Sequence, residues 1–130
     1  MSNVSNIRSE IENIVRYVYV NILKLNINND TLNLWVNRLT SKQVTLYDFL
    51  YTVISPSINS LSISSLIQNL YIGILGNHIS TSKNSELVSI YNNELRRYGN
   101  KKRAFKKVLL SFINDDSLKK YCNRLGIKIK

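Results

Sequence analysis

Three apolar blocks occur in the same order in both halves of the chain, and this duplication limits the folds open to it. YVNIL at Tyr19–Leu23 returns as YIGIL at Tyr71–Leu75. Each copy is followed by a polar gap and an aromatic-centred segment, LNLWVNRL around Trp35 and VSIYNNEL around Tyr91. A second apolar stretch closes each half, DFLYTVIS at Asp48–Ser55 and KVLLSFIN at Lys107–Asn114. The offset grows from 52 residues (Tyr19 to Tyr71) to 56 (Trp35 to Tyr91) to 59 (Ile54 to Ile113), the drift that small loop insertions produce. A repeat of this length is one supersecondary unit that cannot bury its apolar face alone and must stack on its neighbour.

The period inside each block is helical. Ile11, Ile14, Val15, Val18, Ile22 and Leu25 recur at steps of three and four, one face of a helix, with Ser9 before them as a start signal and Glu10 and Glu12 in the first turn. Asp30 is placed to cap a short helix through Leu32, Trp35 and Leu39, and Thr45 or Ser41 a third one that must stop near Ser55, before Pro56. The serine-rich residues 55–65 read as the hinge between the copies. Ser62 or Ser64 opens a fourth helix that Gly76 ends. A polar loop over 77–85 follows, and then a helix capped by Ser85 and closed by Gly99. Asn100 opens the next, Asp115 or Asp116 a last short one ending at Gly126, and the final IKIK reads as an extended tail. The expected fold is therefore all-α: six to seven helices in one bundle-like domain over residues 1–130, built from two similar three-helix units at about 10–56 and 62–121.

With 130 residues the chain is long enough to bury a core without staples, and its single cysteine excludes an internal disulfide. No stretch reaches the roughly 18 apolar residues of a membrane span, and no signal-peptide layout is present. Beginning at Met1, the chain reads as a complete cytoplasmic or virion-associated product. The net charge of +10 is unevenly placed. Residues 1–93 hold six basic and five acidic side chains, residues 94–130 twelve and three. An A- and T-rich gene would raise lysine everywhere and would not concentrate it, so the uneven charge points to an anionic partner.

The matching positions are Tyr19, Ile22, Leu23, Leu32, Trp35, Val36, Asn37, Leu39, Phe49, Leu50, Ile54, Ser55 and Pro56 in the first copy. In the second they are Tyr71, Ile74, Leu75, Tyr91, Leu95, Val108, Phe112, Ile113 and Leu118, followed by the ending YCNRLGIK at Tyr121–Lys128. In this pattern the chain resembles, over about residues 14–128, a bacterial repeat domain of unknown function. That repeat occurs in surface-layer and exopolysaccharide-associated proteins and is distantly similar to the phycobilisome linker domain. Where the family has a glycine-containing turn with a charged residue after its Ile-Leu, this chain has Lys24-Leu25-Asn26 and Gly76-Asn77-His78. The family's acidic–aromatic pair after Ser-Pro is replaced by Ser57-Ile58. The resemblance implies a helical fold and a role in association, and no chemistry.

The residues themselves agree with that emphasis. His78 and Cys122 are the only histidine and cysteine and lie in different copies, so no metal site or Cys–His pair is expected; His78 reads as an exposed loop residue and Cys122 as a small hydrophobe. Asp115-Asp116 is a helix start before it is an acid pair, and no phosphate-binding glycine loop occurs. No cofactor and no enzymatic activity are expected. The candidate site is basic: Arg96, Arg97, Lys101, Lys102, Arg103, Lys106 and Lys107, with Tyr98 at the adjoining turn. Such a face takes nucleic acid, an acidic protein, a glycan or anionic lipid, or is simply solvated. Tyr17, on the opposite side of its helix from Tyr19, is the candidate for an interface with a protein partner or a second copy. The first functional reading is a non-catalytic interaction or assembly module, and the alternative a small nucleic-acid-binding protein.

Overall fold

The apolar spacing resolves into seven α-helices in the computed structural model, which describes residues 4–130 and contains no strand among them. They are α1 (Val4–Tyr17), α2 (Asn29–Thr40), α3 (Leu46–Ile54), α4 (Ile63–Leu70), α5 (Thr81–Tyr98), α6 (Lys101–Phe112) and α7 (Asp116–Leu125). One buried cluster draws residues from all seven, with Phe49, Phe105 and Phe112 among its largest fully enclosed side chains. None of the helices is long and apolar enough to cross a membrane. The start at Met1 lies outside the described residues.

The two similar pentapeptides share an uncommon backbone, a π-helical turn that starts one residue earlier in the first. α1 runs on into a π-helical turn at Val18–Ile22, and α4 into one at Tyr71–Leu75. Each is closed by a left-handed residue, Lys24 at φ 58° in the first copy and Gly76 at φ 72° in the second. The π turn after α1 packs on α4, and the one after α4 packs on α1. α2 packs on α1, α5 on α4, and α3 meets α6.

Several boundaries differ from the sequence expectation. Ser9 lies inside α1 and caps nothing. Its helix ends at Ile22, and Leu25, expected on the inner face, is exposed. Asn28, not Asp30, caps α2, accepting from the Thr31 backbone N–H at 2.8 Å. Thr45 caps α3 in a reciprocal box with Asp48, and Ser62 caps α4. The expected hinge is instead a 3₁₀ helix at Ser55–Ser60. Pro56 in its first turn needs no N–H partner there, and Ser55 and Ile58 are buried. The loop after Gly76 is shorter than expected, since Ser80 rather than Ser85 caps α5.

The extended tail turns back on the first half. Lys128 and Ile129 accept from the backbone N–H groups of Leu46 and Tyr47, at 2.8 and 3.0 Å. These are first-turn donors of α3, which have no partner within their own helix. Ile127 is buried beside them. Near the same end, the Arg124 guanidinium forks onto both carboxylate oxygens of Glu10, at 3.0 and 3.1 Å, tying α7 to α1.

Candidate functional site

Gly99, at φ 64°, folds α6 back along α5, and Asn100 caps α6 by accepting from the Arg103 N–H at 2.9 Å. Burial of Ala104, Phe105, Val108, Leu109 and Phe112 fixes the rotation of α6. Lys102, Arg103, Lys106 and Lys107 are thereby left on its exposed side. All four line one cleft of about 530 Å³, together with Asn100, Glu94, Tyr51 and Leu110. A second depression, of about 380 Å³, shares Asn100 and Lys102 with the first and adds Lys101, Gly99, Ile58 and Asn59. The two form one basic groove over the N-terminus of α6.

The charges in this groove are mostly uncompensated. Arg103 donates from Nε to Glu94 at 3.2 Å. Lys101, Lys102, Lys106 and Lys107 have no acidic partner among the described residues. The start of α6 is also an unfavourable place for cations. Lys101, Lys102 and Arg103 occupy the first turn of α6, where the macrodipole favours anions and no carboxylate is present. Arg96 and Arg97, by contrast, sit in the last turn of α5, where cations are stabilised. Local structure accounts for the arginines of α5 and, through Glu94, for Arg103, but not for Lys101 and Lys102.

Tyr98 holds the two groups together. The Arg103 guanidinium lies 3.5 Å from its ring centroid, and that of Arg97 5.5 Å away. One face of the Tyr98 ring is thus taken by an arginine, although the residue as a whole is 46% exposed. The aromatic that lines the cleft is Tyr51 on α3. Its ring is near-parallel to those of Tyr47 and Phe105, each 6.3 Å away between centroids. Sequence spacing placed Tyr51 only among helical aromatics. Nothing local shows that α3 and the 3₁₀ helix meet α6, so Tyr51 and Ile58 could not be assigned to the basic face, whereas Leu110, one turn beyond Lys106 and Lys107 on the same helix, could. Glu94 had a readable signal: it precedes the Gly99 turn by five residues as Arg103 follows it by four.

The other singled-out residues lie apart from the groove. Tyr17 is half-buried in contact with Gly73. His78 is exposed beside a smaller cleft of about 210 Å³ with Tyr71, Lys83 and Asp115. Cys122 is buried in α7, and burial pushes its thiol up to about 11. No group of three or more His, Cys, Asp or Glu side chains among the described residues could hold a metal ion.

Comparison of the chain with protein-family models, with curated proteins and with solved structures found no match.

Proposed function

We propose that the chain is a non-catalytic helical binding module that takes a polyanionic partner along the groove over α6. One observation carries the reading: four lysines, Lys101, Lys102, Lys106 and Lys107, line this groove with no acidic neighbour, and the first two stand in the opening turn of α6, where the helix dipole disfavours them. A solvated helix face gains nothing from that placement, whereas a row of phosphates or sulfates would neutralise it. Such a role fits a cytoplasmic or virion-associated protein. The test is the salt dependence of binding to DNA, RNA and heparin. Affinity should fall steeply with salt, and replacing Lys102, Lys106 and Lys107 together by glutamine should lower the slope by about two to three units. Arg103 is left in place because it also serves Glu94 and Tyr98. Absence of binding at low salt, or an unchanged slope in the triple variant, would return these lysines to solvent.

A contact with a protein partner or a second copy is the second reading. It is favoured by Val20 and Ile72, two exposed apolar side chains at matching positions of the repeated pentapeptide. Light scattering at high salt separates the two, since an apolar contact persists there and a phosphate contact does not.

A further inference from the structure

We infer that the polyanion is a single-stranded nucleic acid, one of whose bases enters the cleft and lies against Tyr51. The inference rests on the polyanion reading and adds to it the chemistry of the cleft floor. Lysines alone do not distinguish one polyanion from another. The cleft, however, is not lined by cations alone: Tyr51 and Leu110 give it an aromatic and an apolar surface, and Asn100 and Glu94 complete its lining. At about 530 Å³ it falls within the size range of small-ligand sites, roughly 300–1,000 Å³, and has room for more than a phosphate.

Three features favour a single strand. Bases of a duplex are stacked on one another, so only an unpaired base can present a flat face to a side chain in a cleft. A sulfated glycan or a lipid headgroup has no flat aromatic face to set against Tyr51. The Tyr51 ring is half-buried at the cleft, and its near-parallel neighbours Tyr47 and Phe105, 6.3 Å away, fix its orientation in advance. A base that enters the cleft meets a ring already held in place. The neighbouring depression with Lys101 and Lys102 continues the groove past the N-terminus of α6, giving the backbone a track beyond the inserted base. An electrostatic groove with an aromatic platform is the arrangement that sequence-tolerant single-strand binding requires.

Fluorescence anisotropy with a labelled oligothymidine, a hairpin duplex of equal phosphate count and a heparin oligosaccharide tests this. The intact chain should bind the oligothymidine at least about tenfold more tightly than the duplex at the same low salt. Tyr51→Leu should weaken oligothymidine binding about tenfold, Tyr51→Phe should not, and heparin binding should be unchanged in both. A 5-bromouracil oligonucleotide photo-crosslinked to the unmodified protein should attach at Tyr51, a readout that does not depend on the variants folding. Equal affinity for duplex and single strand, equal losses for heparin and oligothymidine in Tyr51→Leu, or crosslinks confined to other residues would overturn the single-strand inference. They would leave the polyanion reading standing. Failure of all three probes to bind would instead remove that underlying reading.

Discussion

Gly73 lies directly against the ring of Tyr17, so closely that a Cβ added at Gly73 would overlap Cε1, Cδ1 and Cζ of that ring. The two residues come from different halves of the chain: Tyr17 ends α1, and Gly73 is the centre of the π turn after α4. Gly73 therefore serves close packing and needs no unusual φ. Gly73→Ala should destabilise the protein by about 1–3 kcal/mol, the usual cost of forcing a ring out of a packed contact. Tyr17→Ala in the same chain should recover part of that loss, because it vacates the space. Urea unfolding of the single and double variants measures the coupling; strictly additive losses would mean that the two residues do not share a contact.

A left-handed backbone closes both π turns, yet only the second copy supplies a glycine. Lys24 holds φ 58° where Gly76, 52 residues on, holds φ 72°. A side chain at positive φ crowds its own carbonyl, and glycine does not. Lys24→Gly should raise stability by about 0.5–1 kcal/mol, the relief of strain being partly offset by the greater freedom of glycine in the unfolded chain. Gly76→Lys should do the reverse. A shift of the Lys24→Gly unfolding midpoint to lower urea would refute the equivalence of the two turns.

The two halves of the chain also differ in their tyrosine hydroxyls. In the first, the Trp35 Nε1–H donates to the Tyr19 hydroxyl at 3.0 Å. In the second, tyrosine stands at the tryptophan position, and the buried Tyr71 hydroxyl has no partner. Tyr71→Phe should therefore stabilise the protein by about 1 kcal/mol at neutral pH, since it removes an unsatisfied buried group. Burial, with the Asp115 and Glu86 carboxylates adding to it, pushes that hydroxyl from 10.0 up to about 12. Burial likewise moves the Cys122 thiol from 9.0 to about 11. Both groups are held neutral in the fold while the unfolded chain ionises first. Their contribution is complete below pH 9 and is lost as pH rises from 9 to 12. Urea midpoints followed over this range should fall, and fall less above pH 10 in Tyr71→Phe.

Much of the fold is legible because helix ends are local. Asn100, Thr45, Ser62, Gly99 and Gly126 act as caps where spacing put them. Ser9 misled because a serine inside a helix reads like one at its start, and Asp30 because Asn28, two residues earlier, is an equally good cap. The π turns could not be foreseen: the apolar steps of Val18, Ile22 and Tyr71, Ile74 fit an ordinary α-helix as well. The cations of the groove were readable from the α6 period alone. Its floor was not, because Tyr51 reaches it only through the packing of α3 on α6.

The C-terminal tail gives the last prediction. Its carbonyls at Lys128 and Ile129 take the N–H groups of Leu46 and Tyr47, and Ile127 is buried under them. This joins the segment after α7 to α3, so the tail should matter to the whole core and not only to α7. Deleting residues 127–130 exposes the hydrophobic site of Ile127 and returns two first-turn donors of α3 to water. The combined loss should be about 2–4 kcal/mol, most of it from the isoleucine. Ile127→Ala alone should cost about 2 kcal/mol and leave the two backbone bonds in place. Amide hydrogen exchange distinguishes them: Leu46 and Tyr47 should lose protection in the deletion and keep it in Ile127→Ala. Unchanged protection at both amides after the deletion would show that α3 holds its first turn without the tail.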